Sequence, residues 1–118
     1  MNDPSREFLD TNVLVYAFSL DPRSAVAERL LASGCRTSVQ ALNEFANVAR
    51  RKMAMSWTEV DEALAIVRRL SGAIAPIDVD THLLAMTLAS RHAFSVFDAL
   101  MVASALRSGC LTLWSEDM

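Results

Sequence analysis

The most regular pattern of apolar and polar positions lies between residues 58 and 70. There Val60, Ala63, Leu64 and Val67 recur at i, i+3, i+4 and i+7, the stripe of an amphipathic helix. Thr58 and Asp61 resemble a capping box at its start, and Arg68 and Arg69 sit at the electrostatically favourable end. Around this helix the chain alternates short strand-like and longer helix-like stretches. Strands are predicted over 6–9, 36–39, 73–77 and 111–114. Helices are predicted over 12–18, 22–33, 40–52, 80–91 and 96–108, with Pro22 suited to a first helical position. Gly34, Gly72 and Gly109 each follow a helical stretch and precede a strand, where glycine enters the left-handed region without a Cβ penalty.

Helix–glycine–strand units repeated in this way imply an α/β fold. We expect a three-layer α/β/α arrangement with a short central parallel sheet, because parallel strands joined by helices need both faces covered. Binding sites in such sheets lie beyond the carboxyl ends of the strands. The chain shows no internal repeat, low-complexity tract or linker, and its 118 residues suit one domain over 1–118.

Composition narrows the class. Hydrophobic residues make up 53%, which excludes a disordered chain. No apolar run approaches the ~20 residues needed to span a bilayer, and the polar start Asn2-Asp3-Pro4-Ser5-Arg6-Glu7 lacks the features of a signal peptide. We therefore expect a cytoplasmic protein with no membrane partner. Cys35 and Cys110 form no C-x-x-C pair and adjoin predicted strands, the setting of buried free thiols. The net charge of −3 disfavours simple phosphate-backbone binding; a nucleic-acid enzyme of this charge must concentrate its cations locally or use a bound metal.

Acidic residues at predicted strand ends are the candidate chemistry. Asp10 ends a strand in Phe8-Leu9-Asp10-Thr11-Asn12, where it either caps the next helix or binds a metal. Asp117 follows the last strand in the same way, and by itself reads as a solvated residue near the chain end. Asp98 lies in a helix apolar on nearly every side, so we expect it to be buried and to need a partner or a metal; Ser95 is its candidate N-cap. Glu44 falls off the stripe of Leu42, Phe45, Ala46 and Ala49, so pattern alone makes it a solvated helix residue. His82 and His92 share one predicted helix and read as surface residues.

Taken together, these positions resemble the PIN-domain family, in the form found in VapC-type toxins. Phe8-Leu9-Asp10-Thr11-Asn12 resembles the family's opening strand and first acidic residue. Residues 38–45, Ser-Val-Gln-Ala-Leu-Asn-Glu-Phe, resemble its second acidic motif, 97–106 its third and 113–118 its fourth. Each motif alone is weak; four in order along almost the entire chain are specific. The resemblance implies a PIN-like fold and a metal-dependent ribonuclease, the toxin half of a toxin–antitoxin pair. Mg²⁺ is the implied cofactor, with Mn²⁺ able to substitute. RNA is the implied substrate, a cognate antitoxin the implied partner, and a homodimer the implied assembly. Asp10, Glu44, Asp98 and Asp117 carry over as catalytic or metal-site residues, and Thr11, Asn12, Ser38 and Ser115 as supporting polar groups. Relatives usually continue past the fourth motif, often with another strand. The resemblance therefore leads us to expect a sheet short of its last C-terminal strand and a loosely held Asp117.

The chemistry agrees with these residues. Two carboxylates ~4 Å apart repel by about 4 kcal/mol at an effective dielectric near 20, so a converging set needs cations or retained protons. Mg²⁺ takes oxygen ligands and keeps several waters. Two other readings compete. A phosphatase is disfavoured because Asp10-Thr11-Asn12 lacks a second aspartate two residues on. A catalytically impaired or truncated PIN-like module, acting in dimerisation or partner binding, would cleave no RNA.

Overall fold

The computed structural model describes residues 3–115. After a single 3-10 turn at Pro4–Arg6, the elements follow as β1 (Glu7–Leu9), α1 (Thr11–Ala17), α2 (Ser24–Ala32), β2 (Thr37–Ser38), α3 (Val39–Lys52), α4 (Trp57–Leu70), β3 (Ile74–Ala75), α5 (Val79–His92), α6 (Val96–Arg107) and β4 (Thr112–Trp114). Every helix and strand expected from the pattern is present, and the strands are shorter than predicted.

All strand pairings are parallel. Phe8 of β1 faces Leu113 of β4, and Thr37 of β2 faces Ile74 of β3. A bridge between Phe8 and Arg36 joins the two pairs; Leu9 N–H donates to the Arg36 carbonyl at 2.7 Å and Arg36 N–H to the Glu7 carbonyl at 2.9 Å. The spatial order is therefore β3-β2-β1-β4, with β1 central. All three β1 residues are buried, and Glu7 is tolerated there because the Trp114 indole donates to its carboxylate at 2.9 Å.

Helices cover both faces, giving the expected α/β/α layers. Helices α1 to α4 pack together over a core of Phe8, Leu9, Val13, Leu14, Phe45, Val60 and Val67. Burying side chains of this size contributes roughly 1.5–3 kcal/mol each. On the other face α6 lies against β2 and β4, and α5 runs along α6 over small contacts made by Ala85, Ala99 and Ala103. Cys35 and Cys110 are buried free thiols, as expected. Burial pushes both above the usual thiol range.

Three local expectations are corrected. The capping box of α4 is built by Ser56 and Glu59, not by Thr58 and Asp61. Ser56 Oγ accepts from Glu59 N–H at 3.1 Å and the Glu59 carboxylate accepts from Ser56 N–H at 2.9 Å. The same residue pattern occurs two positions upstream, and the longer Glu reaches back over the turn. Second, Gly34 and Gly109 adopt positive φ of 89° and 73°, but Gly72 does not. Glycine is needed at 72 for close approach, since a Cβ there would collide with the Gly34 carbonyl oxygen. Third, Asp98 is exposed rather than buried. The first turn of α6 stays outside the core, with Val96 48% and Phe97 67% exposed, and core packing begins only at Ala99 and Met101.

Candidate active site at the carboxyl ends of the strands

Asp10 is the first residue past the central strand. Its backbone N–H still donates to the Trp114 carbonyl at 2.9 Å, so the ladder fixes where it emerges. In extended conformation it becomes the N-cap of α1, its carboxylate accepting from Thr11 N–H at 2.6 Å. Ser38 performs the same service for α3. Fully buried at the end of β2, it accepts from Ala41 N–H at 3.1 Å and so sets the direction in which α3 leaves the sheet. Ser95 caps α6 by accepting from Asp98 N–H at 3.1 Å. The junctions thus bring the first turns of α1 and α6, and the second and third turns of α3, to one place.

That place is an open cavity of about 280 Å³ lined by Asp10, Thr11, Asn12, Glu44, Asn47, Val48, Phe97, Asp98 and Met101. An adjoining cavity of about 240 Å³ shares Asp10, Asn12, Asp98 and Met101 and extends to Phe94, Leu113 and Ser115. Asp10, Glu44 and Asp98 are brought together, with Thr11 and Asn12 between them and Ser115 at the far side. Ser38 does not line the cavity. Asp117 lies outside the described residues.

Glu44 is held by a contact that the helix stripe could not reveal. Thr11 Oγ1 donates to one of its oxygens at 2.6 Å, and the Gln40 side-chain amide to the other at 3.1 Å. Gln40, itself buried, also donates to the Phe97 carbonyl at 3.2 Å and so ties α3 to the start of α6. Gln40 stands one helical turn before Glu44, the spacing at which side chains pair, and that spacing is the sequence signal that points to it. Asp98, by contrast, makes no side-chain hydrogen bond or ion pair among the described residues. Its carboxylate is left to the cleft while its N–H serves the cap.

Like charges face one another here. Burial pushes the Asp10 carboxyl above its ordinary value, and the negative charges of Glu44 and Asp98 push it further, against the opposing bond from Thr11 N–H. Among the described residues, no Lys, Arg or His lines the cavity. Among the described residues, no three Asp, Glu, His or Cys side chains close into a ready-made metal cage. The donor set nonetheless fits a hard, strongly hydrated cation. Such an ion needs only one or two carboxylates and fills its remaining positions with water, for which an open cavity lined by oxygen groups leaves room.

The family model for the PIN domain matches residues 8–118, and the chain belongs to the PIN-domain family. No curated protein matches the chain at a significant level. Among solved structures, the chain is similar to VapC20 of Mycobacterium tuberculosis, described as a sarcin–ricin loop cleaving toxin. The two share 25% sequence identity with a TM-score of 0.74, over 94% of this chain and 91% of that one. The resemblance to VapC-type PIN toxins seen in the four motifs is borne out by both findings.

Proposed function

We propose that this PIN domain is a divalent-metal-dependent endoribonuclease, the toxin half of a toxin–antitoxin pair. One observation carries the reading: Asp10, Glu44 and Asp98, delivered by three separate elements, converge, with no cation beside them among the described residues, on one open cleft at the carboxyl ends of the strands. Family membership and the likeness to an RNA-cleaving toxin support it.

Asp10 and Asp98 are the residues that would hold Mg²⁺, or Mn²⁺ in its place, with Glu44 beside them and Asp117 assigned by its motif alone. When bound, such an ion supplies a water of lowered pKa and stabilises charge developing on the phosphodiester. The chain's own residues do the rest. Thr11 and Gln40 each occupy one oxygen of Glu44, fixing its orientation while leaving acceptor capacity toward the cleft for an attacking water. Asn12 and Ser115 are neutral groups able to bond to phosphate or sugar oxygens without adding negative charge.

The cognate antitoxin is assigned a basic segment in the same cleft, because a guanidinium pairs with two carboxylates and competes with metal for their charge. A cytoplasmic homodimer completes the reading. Val79 and Leu83 on α5, 70% and 57% exposed, give the outer layer an apolar face that twofold association would cover.

The test is induced expression in bacteria of this chain and of its Asp10→Asn form. Growth arrest with fragmented RNA from the first, and neither from the second, is expected. Intact RNA under both would overturn the reading and favour a non-catalytic PIN-like module.

A further inference from the structure

We propose that Arg51 and Lys52 are positioning residues that hold the phosphate backbone of the RNA strand beside the carboxylate cleft; the proposal rests on the ribonuclease reading above. A cavity of about 420 Å³ is lined by Asn47, Val48, Arg51 and Lys52. Asn47 and Val48 also line the carboxylate cleft, so the two cavities form one trough along α3. The trough follows helical spacing. From Glu44, the residues at i+3 and i+4 are Asn47 and Val48, and those at i+7 and i+8 are Arg51 and Lys52, all on one face. At 1.5 Å rise per residue the cations stand ~10–12 Å along the axis from Glu44. A stacked strand covers that span in about three nucleotides at ~3.4 Å each.

The electrostatics require such a device. A polyanion approaching a chain of net charge −3, toward a cleft lined by three carboxylates, is repelled except where cations are concentrated. Basic residues in a last helical turn favour the helix dipole wherever they point, so their presence alone proves little. Their partners separate them. Arg50 is engaged elsewhere, donating to the Met55 carbonyl at 3.0 Å and stacking over Trp57 at 4.6 Å. Arg51 and Lys52 are exposed, make no ion pair among the described residues, and line the trough. Arg68 and Arg69 end α4 equivalently, but that end lies by Gly34, ahead of β2, on the amino-terminal side of the sheet away from the cleft.

The substrate for the test is a fragment of total cellular RNA that the unaltered protein cuts in the presence of Mn²⁺. Arg51→Gln with Lys52→Gln should raise KM roughly tenfold and leave kcat in place. It should also flatten the plot of log(kcat/KM) against log salt by about 1.4, the loss of two single-strand phosphate contacts at about 0.7 each. Arg51→Lys with Lys52→Arg should restore both values. Arg68→Gln with Arg69→Gln changes net charge equally and should alter neither. The proposal is overturned by an unchanged KM and salt slope, by a loss confined to kcat, or by an equal effect from the Arg68 and Arg69 pair. Failure of the unaltered protein to cut any cellular RNA would instead bring down the ribonuclease reading, and the proposal with it.

Discussion

Two cavities of nearly equal size lie on this small domain, and their charges are arranged in opposite ways. One, of about 300 Å³, is lined by Arg36, Ala73, Ile74, Ala75, Pro76, Asp78, Thr81, Ser104, Arg107 and Ser108. Its charges are largely answered from within. Arg107 stands 3.8 Å from Asp78 and 3.7 Å from Asp80, Asp78 accepts from Thr81 N–H at 2.8 Å, and Arg36 donates to the Ser108 carbonyl at 2.8 Å. Among the described residues, Arg36 Nε is left buried without an acceptor. The carboxylate cleft, of about 280 Å³, has among the described residues three acids and no cation in its lining. Mixed charge that closes on itself serves the fold. Single-sign charge held in place by neutral donors is a cost to the fold, and marks the cleft as a place of function.

The sharpest way to break this contrast is to withdraw the divalent cation proposed for the cleft, or one of the carboxylates proposed to hold it. Excess EDTA should abolish RNA cleavage, and Mg²⁺ or Mn²⁺ should restore it. Asp98→Asn keeps the volume and the backbone N–H that Ser95 caps, so helical circular dichroism should not change. Its kcat/KM should fall by about a thousandfold or more, on the order of 4 kcal/mol of transition-state stabilisation. Undiminished cleavage in EDTA, or by the Asp98 variant, would reduce the cleft to another structural pocket.

A smaller effect is expected at Thr11, the residue that couples two of the acids. Thr11→Val keeps the shape and the N–H bonded to Asp10 but deletes the hydroxyl that donates to Glu44. Groups that orient metal-site carboxylates typically cost 10–100-fold when removed. A loss of about that size in kcat/KM, with little change in melting temperature, would show that Glu44 acts through its orientation. Unchanged kinetics would show that Gln40 suffices.

The contrast also explains what could and could not be read in the sequence. Helix and strand order were legible because glycine breaks and the Val60–Val67 stripe are local signals, set by neighbours three or four residues away. Asp10 was legible because the end of a central strand is where such folds place a site. Glu44 was not legible by pattern, since its decisive partner Thr11 is 33 positions away, and only the motif resemblance singled it out. Asp98 was misjudged in the other direction. An apolar surround means burial only if the whole helix packs, and its first turn stays outside the core. Gln40 leaves no mark in the apolar stripe, and its spacing of four residues from Glu44 tells only once Glu44 itself is placed.

Stability gives a quieter test of the same idea. The Asp10 carboxyl is raised in the folded chain by burial first, and then by Glu44 and Asp98. Between its ordinary value of 3.8 and the raised one, the folded state binds more protons than the unfolded state. Stability from this group is therefore lost as pH rises through that window. Asp10→Asn removes the penalty and retains an oxygen to accept from Thr11 N–H. In EDTA at neutral pH the variant should melt at a higher temperature than the unaltered chain, and the gap should close on acidification below the ordinary carboxylate range. A variant that melts lower at neutral pH would mean that the cap outweighs the repulsion.

The smallest effect is expected where charges are already paired. Arg107 is half exposed and meets Asp78 and Asp80 at distances near the outer limit for an ion pair. Pairs of this kind contribute little, because the Coulomb gain in solvent is small and ordering two side chains opposes it. Asp78 is held below the ordinary carboxylate range mainly by its bonds to Thr81, with Arg107 the lesser influence, so the cap of α5 should survive without the guanidinium. Arg107→Gln should therefore lower the melting temperature by at most a few degrees. That difference should shrink further in 1 M salt, where the screening length falls to about 3 Å. RNA cleavage should be unchanged. Melting curves at low and high salt, with kcat/KM beside them, decide the matter. A large loss of cleavage at unchanged stability would mean that the second cavity also belongs to the substrate path, and that paired charge is no guide to which cavity works.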